Sequence, residues 1–142
     1  MIKTQRFTVY PAAWDECIAV AANDWFGGRS MFSQFGDWVS VSAPGGTDMK
    51  KFRYDENDIL STTPFYDVVL HHGIPHLTLQ YGFLAGTSMA CPHVSGLAGL
   101  ILSQNPNLTN KEVRERILGT ADVTNNFYNE AFDSVGTGRI NS

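Results

Sequence analysis

The sequence predicts an α/β fold built on a parallel sheet, and three observations carry that prediction. Cys17-Ile18-Ala19-Val20-Ala21-Ala22 is a short, solidly apolar run of the kind that makes a fully buried strand. Two helix-period segments occupy the C-terminal half, and one of them has almost no polar face. Further short strand-like segments precede these helices, separated by Gly- and Pro-rich turns. The elements are too few for a complete doubly wound domain.

Taken in order, the apolar run at residues 17–22 is followed by Asn23-Asp24 and Gly27-Gly28, which mark a turn. Trp38-Val39-Ser40-Val41-Ser42 alternates and reads as a second strand, closed by Pro44-Gly45-Gly46. Residues 47–58 are polar and charged, as a surface loop is. Ile59-Leu60-Ser61-Thr62 reads as another short strand. Residues 64–78 form an irregular excursion that holds three of the four histidines. Leu79 to Ala85 alternates loosely and leads into a turn at Gly86.

The spacing predicts a helix over Ser88–Gln104 with Pro92 in its first turn, where a missing N–H costs nothing. Val94, Leu97, Ala98, Leu100, Ile101 and Leu102 leave so little polar surface that this helix is expected to be buried. Gly96 and Gly99 would each cost about 1 kcal/mol against alanine in an exposed helix, so they are read as sites of close packing. Asn105-Pro106-Asn107 ends the helix. Thr109 with Glu112 three residues on is a capping box for a second one. Val113, Ile117 and Leu118 give that helix an apolar stripe, Lys111, Glu115 and Arg116 face water, and Gly119 is the stop signal.

Composition narrows the function classes. The 142 residues are 43% hydrophobic and 17% charged, which fits a globular chain with a modest core. A net charge of −4 argues against a nucleic-acid partner. No apolar run approaches the roughly 18 residues needed to span a bilayer. The start, Met1 to Arg6, shows no secretory signal. Cys17 and Cys91 are spaced like no metal pattern and are expected to be reduced, buried and apolar in behaviour.

The chemistry concentrates at Gly86-Thr87-Ser88-Met89-Ala90-Cys91-Pro92. A flexible turn delivers Ser88 onto the first turn of the apolar helix. Free backbone N–H groups and the positive dipole end face outward there, which suits an oxyanion. The Ser88 N–H itself is a candidate donor. The plain alternative is that Ser88 merely caps the helix, a role serine favours. Position 90 is alanine, so this is not the Gly-x-Ser-x-Gly elbow of the α/β-hydrolases.

The longer string Gly-Thr-Ser-Met-Ala-x-Pro-His-Val, followed by a Gly-rich apolar helix, resembles the nucleophile motif of the subtilisin-like serine peptidases, the subtilases. Other segments resemble the same family in the same order. Tyr10-Pro11-Ala12-Ala13 with the run at 18–22 is similar to its YPA segment and following strand. Phe32-Ser33-Gln34-Phe35-Gly36, then Ala43-Pro44-Gly45 with Ile59-Leu60-Ser61-Thr62, match further elements. Pro106, Leu108-Thr109, Thr120-Ala121 and Gly136-Thr137-Gly138-Arg139-Ile140-Asn141 match its tail.

The resemblance implies part of a subtilisin-like doubly wound sheet, with a buried central helix starting at the nucleophile, and a serine endopeptidase that acts on peptide or protein substrates. It implies Ser88 as nucleophile, activated by a histidine that an aspartate orients. The family's aspartate and His-Gly-Thr-His motifs, and its oxyanion asparagine, have no match here. Residues 1–142 therefore read as roughly the C-terminal half of the domain, with insertions at about 47–57 and 64–78, a missing N-terminal half as partner, and a secreted or cell-surface parent. The isolated chain is expected to be inactive. Removing the base alone costs the family's name-giving enzyme about 10⁶ in turnover, a magnitude borrowed from that enzyme. A non-catalytic remnant of a subtilase is the rival reading.

Three further features are weighed against this. His72-Gly73-Ile74-Pro75-His76 imitates His-Gly-Thr-His, but it stands directly before the Ser88 strand and Pro75 would disrupt a helix opening there. His71, His72 and His76 could form a metal site, the weakest of the function readings, and His93 matches a structural histidine expected to hydrogen-bond in the core. Some relatives hold calcium with backbone carbonyls near the YPA segment and an aspartate, but Ser40 stands at that aspartate's position. No cofactor is therefore assigned. Half of such a sheet would leave a strand edge and one face of the Ser88 helix uncovered, so the chain is expected to aggregate or to need its partner.

Overall fold

The computed structural model describes residues 8–47, 57–68, 80–122 and 135–141. Strands β1 (Val20–Asn23) and β2 (Val41–Pro44) form a parallel pair with Val20 opposite Val41 and Asn23 opposite Pro44. Strands β3 (Ile59–Thr62) and β4 (Tyr81–Leu84) form an antiparallel pair, Ile59 opposite Leu84. Helices α1 (Thr87–Gln104) and α2 (Asn110–Gly119) follow. The fold is α/β, and beside its parallel sheet stands a separate antiparallel pair that the sequence reading did not distinguish from it.

Both parallel strands start later than their apolar runs. The Cys17 N–H donates to the Trp14 carbonyl at 2.9 Å, so the head of the first run closes a turn. The Val39 N–H donates to the Gly36 carbonyl at 3.0 Å and does the same before β2. Asn23 is the last residue of β1 and is buried, where the sequence placed it in the turn.

The two faces of the parallel pair carry different cores. Ala22, Val41 and Ala43 face α1 and α2, meeting Ala90 and Val94 from the first and Val113 and Ile117 from the second. Ala21 packs on the opposite face with Val39 and Val135. Alanine in the strands lets the helices lie close, and Ile117 is the largest fully buried side chain among the described residues. The tail runs beside β2: the Ser42 N–H donates to the Gly138 carbonyl at 2.8 Å, and the Ile140 N–H to the Ser42 carbonyl at 2.9 Å. This order explains the Gly-Thr-Gly-Arg-Ile segment as a third, frayed line of the sheet.

Helix α2 is self-sufficient. The Thr109 hydroxyl accepts from the Glu112 N–H, and the Glu112 carboxylate accepts from the Thr109 N–H at 2.8 Å, completing the capping box. The Thr109 hydroxyl also donates to the same carboxylate oxygen at 2.7 Å, and this bond, with that from the Thr109 N–H, holds the Glu112 carboxyl below its ordinary value of 4.5. Gly119 is its last helical residue, and Thr120, not glycine, caps the end.

Helix α1 departs from expectation in three respects. It starts at Thr87, so Pro92 lies in the second turn and cannot return a hydrogen bond to the Ser88 carbonyl. Only Ala90 and Val94 are buried, and Leu100 is 61% exposed. Ideal Cβ atoms on Gly96 and Gly99 would meet nothing within 4 Å, so no described residue packs against them. Both cysteines are free, but Cys17 is half-buried and Cys91, on α1, is exposed.

Candidate active site

The site is assembled from the end of β1. Gly45, just past β2, donates its N–H to the Asn23 carbonyl at 2.9 Å, and its carbonyl accepts the Gly86 N–H at 2.7 Å. A Cβ on Gly45 would come within 2.5 Å of the Ala22 Cβ and 2.9 Å of the Gly86 carbonyl oxygen. The Ala-Pro-Gly segment thus pegs the nucleophile turn to the sheet, and only glycine allows so close an approach. The Ser30 hydroxyl donates to the Gly46 carbonyl at 2.6 Å, and the Ser33 hydroxyl accepts the Ala22 N–H at 2.8 Å, so the segment before β2 buttresses the same corner.

Gly86 takes φ 156° at the N-cap, a conformation side chains disfavour, although space for a Cβ exists. Its carbonyl accepts from the Met89 and Ala90 N–H groups at 2.9 and 3.2 Å. The Thr87 and Ser88 N–H groups precede these first helical bonds and lie at the positive end of an 18-residue helix. Gly86 makes no side-chain cap. Ser88 is the second helical residue, so the plain capping role for its hydroxyl is excluded.

Ser88 is exposed beside an open cleft of about 320 Å³ that β3 walls with Ile59, Leu60 and Ser61 and α1 with Met89, Pro92 and His93. Among the described residues no base is hydrogen-bonded to its hydroxyl. His93 is exposed, not core, and its Nδ1 is 2.9 Å from the Met89 carbonyl of its own helix, so it is committed away from Ser88. His71, His72 and His76, the metal reading built on them, and most of both insertions lie outside the described residues.

On the opposite flank, the position matched to the family's calcium-binding aspartate is Ser40. Its hydroxyl accepts the Ala19 N–H at 3.1 Å and lies 3.4 Å from Arg114 Nη2, while Arg114 Nη1 donates to the Cys17 carbonyl. A hard divalent cation wants several oxygen ligands, carboxylates among them. A neutral hydroxyl and a guanidinium do not fit one.

The Subtilase family model matches residues 3–138. The chain belongs to the subtilase family. It is 39% identical over 113 residues to thermitase of Thermoactinomyces vulgaris, covering 80% of this chain and 31% of that protein. Subtilisin E of Bacillus subtilis is 38% identical over 120 residues, covering 84% and 25%. A solved protease structure from Pseudoalteromonas arctica superposes with TM-score 0.72 at 29% identity, covering 93% of this chain and 35% of that one. A lanthipeptide protease structure, at TM-score 0.70 and 22% identity, shares the fold. The subtilase chain therefore spans between a quarter and a third of the length of these two curated relatives.

Sequence reasoning found Ser88 and its turn but missed the residues that place them. Gly45 reads in the sequence as a strand end and as part of the Ala43-Pro44-Gly45 match, and Asn23 as a turn marker, neither with a role in placing Ser88. Asn23 is 2% exposed with both amide atoms unpartnered, an expensive arrangement for which polarity at the end of an alanine run was the available signal. Arg114 gave no signal, because its partners are far away in sequence.

Proposed function

We propose that this chain is the nucleophile-bearing part of a secreted serine endopeptidase domain, cleaving peptide or protein substrates through an acyl-enzyme on Ser88. The observation that carries the reading is the uncommitted, exposed Ser88 hydroxyl at the N-terminus of α1, pegged to the sheet through Gly86 and Gly45. The hydroxyl attacks the scissile carbonyl, and the Ser88 N–H donates to the developing oxyanion. A histidine removes the hydroxyl proton and returns it to the leaving amine, and an aspartate orients that histidine. Both would come from the remainder of the domain, which would also supply the second oxyanion donor. The secreted setting rests on relatives such as the halolysin-like extracellular serine protease of Natrialba magadii. Among the described residues no helix is long and apolar enough to cross a membrane.

The test is complementation on a fluorogenic peptide. The chain alone should give no turnover, and adding a polypeptide with the family's aspartate and His-Gly-Thr-His motifs should restore it. Ser88→Ala should remove the restored turnover, about 10⁶-fold by the family's reference case. Turnover that survives Ser88→Ala would overturn the assignment, and turnover by the chain alone would overturn its dependence on the missing groups. The absence of a base beside Ser88 among the described residues equally favours a non-catalytic remnant. Failure of every complementing polypeptide, with binding retained, would select that reading.

A further inference from the structure

We infer that the turn after β1 is a lipid-binding tip: Trp25 and Phe26 enter the interface of a phospholipid bilayer, and Arg139 pairs with a lipid phosphate beside them. The inference stands apart from Ser88 and its chemistry. Residues 24–28 return the chain from Asn23 to Arg29, which face each other in an antiparallel bridge. The Asp24 carboxylate accepts the Phe26 and Gly28 N–H groups on one oxygen, both at 2.9 Å. The Asp24 N–H donates to the Gly28 carbonyl at 2.8 Å, and the Gly27 N–H donates to the Asp24 carbonyl at 3.1 Å. Gly27 takes φ 81°, a left-handed value that glycine adopts without strain. The turn is thus fixed from within, yet its two aromatic side chains face outward, Trp25 71% and Phe26 73% exposed.

Two observations favour a lipid surface over a protein partner. The N–H groups of Asp24, Phe26, Gly27 and Gly28 are spent inside the turn, so the tip carries little unpaired backbone into a medium that offers none a partner. A turn held this rigidly loses little conformational freedom on insertion, and tryptophan with phenylalanine suits the boundary between acyl chains and headgroups. Charge is the second observation. A Cβ on Gly27 would come within 3.3 Å of Arg139 Nη1, so that guanidinium stands at the turn. Arg139 is exposed, and among the described residues its side chain has no hydrogen-bond or ion-pair partner. Its planar fork matches phosphate oxygens. The neighbouring Arg29 is engaged with the Ser33 carbonyl and the Phe35 ring, and the Asp24 carboxylate is engaged inside the turn. In a chain of net charge −4, an available guanidinium beside two exposed aromatic rings is a local match to a phospholipid surface.

Flotation of the full chain with vesicles of phosphatidylcholine and phosphatidylglycerol tests the tip, because aggregated chain does not float. The wild-type chain should float with the vesicles, and lipids brominated near the headgroup should quench its tryptophan emission. Trp25→Phe should still float but lose most of that quenching, since Trp14 and Trp38 lie outside the turn. Trp25→Ser with Phe26→Ser should weaken partitioning by at least about tenfold. Arg139→Gln should weaken it about fivefold, the worth of one surface arginine. Leu100→Ser, on the exposed side of α1, should partition as the wild type does. A wild-type chain that stays below the vesicles overturns the inference and leaves the tip to a protein partner. Equal partitioning by the double serine variant overturns it, as does undiminished quenching in Trp25→Phe. Flotation abolished by Leu100→Ser also overturns it, by placing the contact on α1. If the double variant loses its helical circular dichroism, Phe26→Ser alone decides: partitioning should weaken several-fold, and unchanged partitioning overturns the proposal.

Discussion

The two helices of this chain are built on opposite plans. Helix α2 carries five charged residues in ten, caps itself through Thr109 and Glu112, and buries Val113 and Ile117. Helix α1 has no charged residue in eighteen and no side-chain cap, and it buries only Ala90 and Val94. A helix apolar nearly all round belongs inside a protein. Here Ser88, Pro92, Ser95, Gly96, Gly99 and Ser103 recur at helical spacing, and all are exposed. The contrast teaches that α2 is finished by its own sequence, whereas α1 is written for a second layer that the described residues do not supply.

Four substitutions sharpen or break that contrast. Ile117→Ala removes the largest fully buried side chain and should cost about 2–5 kcal/mol in chemical denaturation. A loss below about 1 kcal/mol would mean that α2 is not the anchored helix described above. Gly45→Ala should cost about 1–3 kcal/mol by overpacking against Ala22 and the Gly86 carbonyl, and should speed amide exchange at Gly86 by displacing its acceptor. Unchanged exchange there would remove the pegging role.

Thr109→Ala should cost about 1 kcal/mol near neutral pH. Its pH dependence has a definite sign. The Glu112 carboxyl is held below 4.5 in the folded chain, so its stabilisation is full above 4.5 and is lost as pH falls through the lower folded value. Wild type and variant should therefore converge in acid, and a gap that widens there would contradict the capping box. Leu100→Ser should change stability by less than about 0.5 kcal/mol while reducing self-association in sedimentation. If it proves as costly as Ile117→Ala, α1 is covered after all and the contrast fails.

Local signals in the sequence carried far where chemistry is local. The capping box, the Ile59–Thr62 strand and the end of α1 at Gln104 follow from residues within a turn of one another, and they stand as read. Burial of α1 was misjudged because apolarity reports where a helix ought to go, not what lies beside it. Pro92 is the sixth helical residue and so lies beyond the first turn, and the opening at Thr87 rests on a glycine cap that offers no side-chain marker. Cys91 and His93 were assigned to the core by residue type and motif, yet both sit on the open side of α1. Ser88 was legible because its motif is contiguous. Gly45, Asn23 and Arg114 were not, since their roles arise from contacts that only the folded chain brings about.

The 2.7 Å bond from the Gly86 N–H to the Gly45 carbonyl has a consequence for the nucleophile. It measures the address of Ser88 from the end of β1, through Asn23, Gly45 and Gly86, and not along the chain that runs between the two glycines.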